Sequence, residues 1–412
     1  MKRCWIHIGM PKTGTTSIQV HLVKLGQGEG WQYVAIGKSP SMNREMHAMF
    51  GTRPEKWYWF EKRGVTKEEL EILRQRLRKG LARTIRRSQA ENIILSSEAL
   101  SLIHKSGVRQ LREFLEPLFD EIRIIGYVRP PAGFMVSFFQ QRLKNGAESF
   151  GRMAGPQYRE RFEKYDKIFG RENVTLRKFE PATFPGGCIV RDFCEQVGIQ
   201  LPDSVAIDRV NESLCLEACA ILYAYRKHGK GFGIGADVIL ENSRIVRPLL
   251  AMKGTRFRFS RAFLDTAAGD LSDDISWMEQ RLGATLHETV SEDGSEVSGE
   301  ADLLLISRSA CEEFVARFEE YNGVKVPSTW LPTADPVEPR QVSDLVERCR
   351  EMGREKIQEK RSSRPGKPLG SRLIRAIRRW LSRTKAAPAA KPKTGPAKKR
   401  AKKRGKKNKK NG

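Results

Sequence analysis

A chain of 412 residues, 39% of them hydrophobic, holds enough apolar material for one large or two ordinary cores. Its formal charge of +26 is lopsided: residues 361–412 carry 21 Lys and Arg and no carboxylate, leaving 54 basic and 49 acidic groups in an ordinary, mildly basic body. No apolar run approaches the roughly 20 residues of a bilayer span, and seven cysteines at no zinc-like spacing speak against a metal or disulfide framework.

The opening MKRCWIHIG has too short an apolar stretch for a signal peptide, so a cytoplasmic protein is expected. Residues 3–9 read as a buried strand, and Thr15 to Leu25, ended by Gly26, as a helix. Between them stands IGMPKTGTTS. It nearly spells the phosphate loop G-x-x-x-x-G-K-[ST], with Gly9 and Gly14 at the right separation. Thr15 occupies the usual lysine position, and the loop's lysine is Lys12, two residues before Gly14.

Trp31–Ile36 reads as a second strand. Leu70, Leu73, Leu77, Leu81 and Ile85 recur at three- and four-residue steps and predict a helix over 67–88, with Thr66 and Glu69 as a capping box. Asn92–Ser97 and Ile122–Val128 are continuous apolar runs, as in parallel strands covered on both faces. A helical stretch, Val108–Phe119, separates them. Helix is expected from Ala132 to Lys144, strand at Val174–Phe179 and helix at Ile189–Val197. The fold class is therefore α/β: a P-loop-like parallel sheet flanked by helices. Beyond about residue 200 the chain turns mostly helical, with segments at Ser213–Lys227, Arg261–Ala267, Asp273–Leu282 and Arg308–Tyr321. The body is expected to end near 330, followed by a linker and charged helix (331–362, helix Val342–Lys360) and a basic tail (363–412). Within the tail, 369–383 sets Leu, Ile and Trp on one helical face against Arg on the other, the pattern of an interfacial membrane helix. Residues 385–412 lack large apolar groups and are expected to be disordered.

Ligands of open parallel sheets bind at the carboxyl ends of the strands. The glycine loop feeds backbone N–H groups and a helix dipole toward one anion. Glu98 follows the strand NIILSS and is a candidate general base. Arg129 follows IRIIGYV and suits a second phosphate, with Ser137 eight residues on.

These pieces resemble the bacterial type of sulfotransferase that uses 3′-phosphoadenosine 5′-phosphosulfate (PAPS). PKTGTTS resembles that family's 5′-phosphosulfate loop, YVRPPAGFMVSFFQQRLKNG its 3′-phosphate site, and IILSSEALS a segment that carries a glutamate base. RVNESLCLEA and DISWMEQRLG are similar to weaker family strings. The resemblance implies that Lys12, Thr13, Gly14, Thr15, Thr16 and Ser17 hold the 5′-phosphosulfate, with Lys12 also catalytic. It implies that Arg129 and Ser137 bind the 3′-phosphate, and that Glu98 takes the acceptor's proton, with His104 as runner-up. PAPS is then the co-substrate, and no metal is needed. The glycine-rich basic segment that completes the 3′-phosphate site in small-molecule members is not found, so another contact is expected from elsewhere. The acceptor is expected to be a hydroxyl compound, a carbohydrate by preference; Trp57 to Phe60 could offer a sugar-stacking platform, but aromatics in such a run more often pack in the core. The tail suits an anionic membrane surface at the inner face, with nucleic acid bound only non-specifically. Two alternatives stay open: a P-loop kinase or nucleotidase, and a non-catalytic polyanion- or membrane-binding protein.

Overall fold

The computed structural model describes residues 1–36, 40–61, 64–150, 155–201, 205, 207, 213–231, 236–267, 271–288 and 296–362. The chain divides into two units, Met1–Leu369 and Gly370–Gly412. The tail, with its expected amphipathic stretch 369–383, lies outside the described residues, as does part of RVNESLCLEA.

In chain order the elements are β1 (Arg3–Ile8), α1 (Thr15–Leu25), β2 (Gln27–Gly28), β3 (Trp31–Tyr33), α2 (Asn43–Phe50), α3 (Tyr58–Glu61), α4 (Lys67–Arg87), β4 (Asn92–Ser97), α5 (Ala99–Leu102), α6 (Lys105–Leu115), β5 (Glu121–Val128), α7 (Pro131–Lys144), α8 (Tyr158–Phe169), β6 (Val174–Lys178), α9 (Ile189–Gln196), α10 (Leu216–His228), α11 (Ala236–Ala251), α12 (Arg261–Ala267), α13 (Ser272–Leu282), α14 (Glu300–Leu303), α15 (Arg308–Asn322) and α16 (Pro339–Ser362). The sheet runs β2-β3-β4-β1-β5-β6. Every neighbouring pair is parallel except the β2–β3 hairpin.

Register decides where the site forms. β1 lies between β4 and β5, and Ile8 aligns with Ser97 on one side and Gly126 on the other. The glycine loop after β1 is therefore flanked by Glu98, which follows Ser97, and by Arg129, which follows β5. Both sheet faces are covered. On one, Ile18 and Leu22 of α1 and Val190 and Phe193 of α9 pack on Ile94, Ile125 and Tyr127. A polar cluster crosses the same layer: the Tyr127 hydroxyl donates to Asp192 (2.6 Å), which also accepts two bonds from Arg177. Asp192 is buried and paired, which turns a costly buried charge into a clamp between β5, β6 and α9.

α4 buries Leu70, Leu73, Leu77, Leu81 and Ile85 and begins with the expected Thr66–Glu69 capping box. Its Arg74 and Arg78 donate to the carbonyls of Ala48 and Met49 in the last turn of α2, where carbonyls lack helical partners. In the C-terminal half α10 packs against α16, and α11 against α15 and α16. Here the structure differs from the expected end of the body near 330. Val342, Leu345, Val346 and Cys349 of α16 are buried, a three- and four-residue stripe among many charges, so the helix belongs to the core.

Candidate functional site

The loop from Gly9 to Gly14 is shaped by backbone conformations that few residues adopt. Gly14 ends it in the left-handed region (φ 75°), and a β-carbon there would press on Ile189 of α9. Lys12 also has a positive φ, 64°. For a residue with a side chain this costs about 1–2 kcal/mol. The Arg129 guanidinium donates to the Lys12 carbonyl at 2.5 Å, which helps hold the strained turn and ties the two strand ends together. Thr13 is fully buried, and both its N–H and its hydroxyl donate to the Met10 carbonyl. Thr13 thus closes the turn with the side chain for which the resemblance implies a ligand role.

The first N–H groups of α1 have no helical partner by geometry; the N-cap, Gly14, has no side chain to cap them, and no carboxylate stands in the first turn. Thr15 is 1% exposed, and its Oγ1 is buried with no hydrogen-bond partner. A buried orphan hydroxyl at an uncapped helix start is what an anion-binding loop needs. Thr16 is exposed and Ser17 half-buried on the same turn. Gly9 explains the close approach of the second wall: a β-carbon there would collide with Thr15 and stand 2.9 Å from Glu98 Cγ. The Glu98 side chain therefore abuts the loop.

Three side chains of α8 fix the short helix that Glu98 begins. Tyr165 donates to the Leu100 carbonyl, and Lys164 Nζ donates to the carbonyls of Ser101 (2.9 Å) and Ile103 (2.6 Å). Arg161 Nη1 reaches the Ser101 hydroxyl. Burial lowers the Lys164 pKa to about 8. On the other flank Asn43 Oδ1 accepts from the Ser97 hydroxyl and the Ala99 N–H, so the start of α2 is tied to the same strand end. Two residues further, Glu45 is a carboxylate that the sequence reading missed. Its Oε2 is buried without a partner, and burial raises its pKa against the pull of its own backbone N–H and Arg44.

His104, the runner-up base, is exposed and serves as N-cap of α6, its Nδ1 accepting from the Ser106 N–H. His7 is wholly buried beside Phe193, bonded to Ser96, and burial pushes its pKa down to about 3, so it is a neutral core residue. Trp57 and Trp59 of the aromatic run are engaged in packing, the commoner role for such aromatics: Trp57 stacks on His47 at 4.3 Å, and Arg44 covers Trp59.

The second corner of the strand ends lies after β5. Arg129 sits 5.8 Å over the Phe179 ring, and the Tyr158 hydroxyl donates to its carbonyl. Tyr158 opens α8, whose first N–H groups are capped by Asp274, and Arg281 forms a two-pronged ion pair with Asp166. The string DISWMEQRLG thus acts structurally, anchoring the helix that positions Arg129. Ser137 is 8% exposed, on α7 one helical turn beyond Gly133 and so on the same face. Burial lowers the Arg129 pKa, Glu288 opposes this, and Arg256 adds to it. Arg256 and Glu288 are therefore electrostatic neighbours of Arg129 that the sequence reading did not pick out. A cavity of about 760 Å³ adjoins this corner, lined by Pro131 and Ala132 of α7, by α12 and α13, and by Glu288. Among the described residues no group of His, Cys, Asp and Glu is arranged to hold a metal ion, and no helix is long and apolar enough to cross a membrane.

No family model matches the chain, and no curated protein matches it. A crystal structure of a sulfotransferase from Alicyclobacillus acidocaldarius is similar at 15% identity with a TM-score of 0.31, over 55% of this chain and 93% of that one. So slight a likeness carries no weight, and the functional reading rests on the chain's own residues.

Proposed function

We propose that the protein transfers a sulfuryl group from PAPS to a hydroxyl acceptor, a carbohydrate by preference. The observation that carries this reading is the loop: an uncapped helix start with the buried, unpartnered Thr15 Oγ1, and Lys12 displaced from the nucleotidase position. A nucleotidase loop needs a lysine after its second glycine to reach β- and γ-phosphates, and Thr15 cannot supply that charge. The first-turn N–H groups and Thr15, Thr16 and Ser17 hold the 5′-phosphate, and Arg129 and Ser137 the 3′-phosphate. The acceptor oxygen attacks sulfur as its proton passes to Glu98. The bond from sulfur to the bridging oxygen breaks, and its electron pair leaves with adenosine 3′,5′-bisphosphate. Charge grows on that bridging oxygen, where Lys12 stabilises the transition state more than the ground state. The tail, by its charge pattern, holds the enzyme at the anionic inner face of a membrane, which makes it a peripheral cytoplasmic protein.

The test follows bisphosphate formed from PAPS, chromatographically, with and without oligosaccharide acceptors. Acceptor-dependent formation is expected, with Lys12→Ala lowering the rate about 100-fold or more, the size of losing one transition-state charge partner. Turnover of ATP with Mg²⁺ in place of PAPS would instead support a kinase or nucleotidase.

A further inference from the structure

The anion corner after β5 already holds an anion, and it belongs to the protein. α7 starts with Pro130 and Pro131 and has no capping side chain of its own. The N–H of Gly133, in its first turn, lacks an intrahelical partner. Glu288, 155 residues later in the chain, reaches it, and Oε2 accepts from the Gly133 N–H at 2.9 Å. A β-carbon at residue 133 would stand 2.9 Å from Glu288 Oε1 and 3.0 Å from Arg129 Nε. The carboxylate and the guanidinium therefore close on the same point, over the one residue type that leaves room for both.

We infer that Glu288 is an internal occupant of the phosphate corner, which a nucleotide's 3′-phosphate must displace, and that it sets the affinity for that phosphate. This rests on the donor reading above. A phosphate dianion and a carboxylate cannot share the Gly133 N–H and Arg129, because like charges about 4 Å apart repel by on the order of several kcal/mol at a protein surface. Displacement has somewhere to go: Glu288 also lines the cavity of about 760 Å³ on its other side, beside the aliphatic side chains of Met135, Leu264 and Ile275. Glu288 thus weakens donor and product alike, and it does so only through the 3′-phosphate. A nucleotide without that group leaves the carboxylate in place.

The experiment is calorimetric titration of full-length wild type and Glu288→Gln with adenosine 3′,5′-bisphosphate and with adenosine 5′-phosphate. Glutamine keeps the length and an acceptor for the Gly133 N–H and removes the charge. The expected result is bisphosphate binding tightened about tenfold or more, as when a competing charge-assisted hydrogen bond is lost, with the 5′-phosphate bound as in wild type. A purely structural cap would instead lower the melting temperature and weaken both nucleotides, and that result overturns the inference. Equal tightening of both, or no change, also overturns it. Failure of both proteins to bind the bisphosphate would sink the donor reading and this inference together. Glu288→Ala provides a second variant for which the same selective tightening is expected.

Discussion

At the scale of residues the account turns on which group takes the acceptor's proton. Glu98 abuts the loop across Gly9, whereas His104 is an exposed helix cap whose Nδ1 is engaged with the Ser106 N–H. Glu98→Gln should lower kcat at least about 100-fold while bisphosphate affinity stays within about twofold, the signature of a lost proton acceptor. His104→Ala should cost about 1 kcal/mol of stability, the usual value of a helix cap, and leave kcat near wild type. Rate measurements on both variants, with thermal melts, check this; an active Glu98→Gln enzyme would contradict the assignment of the proton acceptor to Glu98. The placement of Glu98, Lys12 and Arg129 at neighbouring strand ends was legible in the sequence. Glycine spacing, a displaced lysine and residues directly after apolar runs are local signals, and parallel register converts them into neighbours. Glu45, Arg256 and Glu288 were not legible, because contacts such as that from Glu288 to Gly133 span 155 residues and leave no local pattern.

At the scale of elements, α8 is the helix that the sequence pattern does not announce. Its buried face consists of Tyr158, Phe162, Tyr165, Ile168 and Phe169, interleaved with charged residues, two of which, Arg161 and Lys164, are themselves buried. An aliphatic template misses such a helix, yet it supports both Glu98 and Arg129. Lys164 gives a direct handle on it. Its pKa is lowered from 10.5 to about 8 by burial. The folded state therefore holds its proton less tightly than the unfolded chain, and stability rises with pH between those two values. The wild type should gain stability relative to Lys164→Met as pH rises from about 8 to about 10.5, by at most about 3 kcal/mol. Urea melts at several pH values measure it; a difference flat in pH would mean that Lys164 is not desolvated as described. The same variant should lower kcat by loosening α5 below Glu98. α16 carries the complementary lesson: its charge density suggested a helix outside the body, while Val342, Leu345, Val346 and Cys349 build it into the core.

At the scale of the whole molecule, the charge of the chain is split between a mildly basic body and residues 361–412, with 21 basic residues and no acid. If the tail serves an anionic lipid surface, the full-length protein should sediment with vesicles containing about 30% anionic lipid and stay in solution with neutral ones, at the roughly 1 kcal/mol per basic residue typical of such segments. Deleting 363–412 should abolish sedimentation while leaving bisphosphate binding intact. Sedimentation that survives the deletion would assign membrane contact to the body. The body's own claim is that the ends of β1, β4 and β5 form one site for a nucleotide with two separated anionic groups. It is tested most directly by titrating wild type, Lys12→Ala and Arg129→Ala with adenosine 3′,5′-bisphosphate, with ATP as competitor. The account predicts that the wild type binds the bisphosphate, that Arg129→Ala weakens it at least about tenfold as expected for a lost charge-assisted contact, and that ATP competes poorly. No binding of the bisphosphate, or tighter binding of ATP with Mg²⁺, would contradict it.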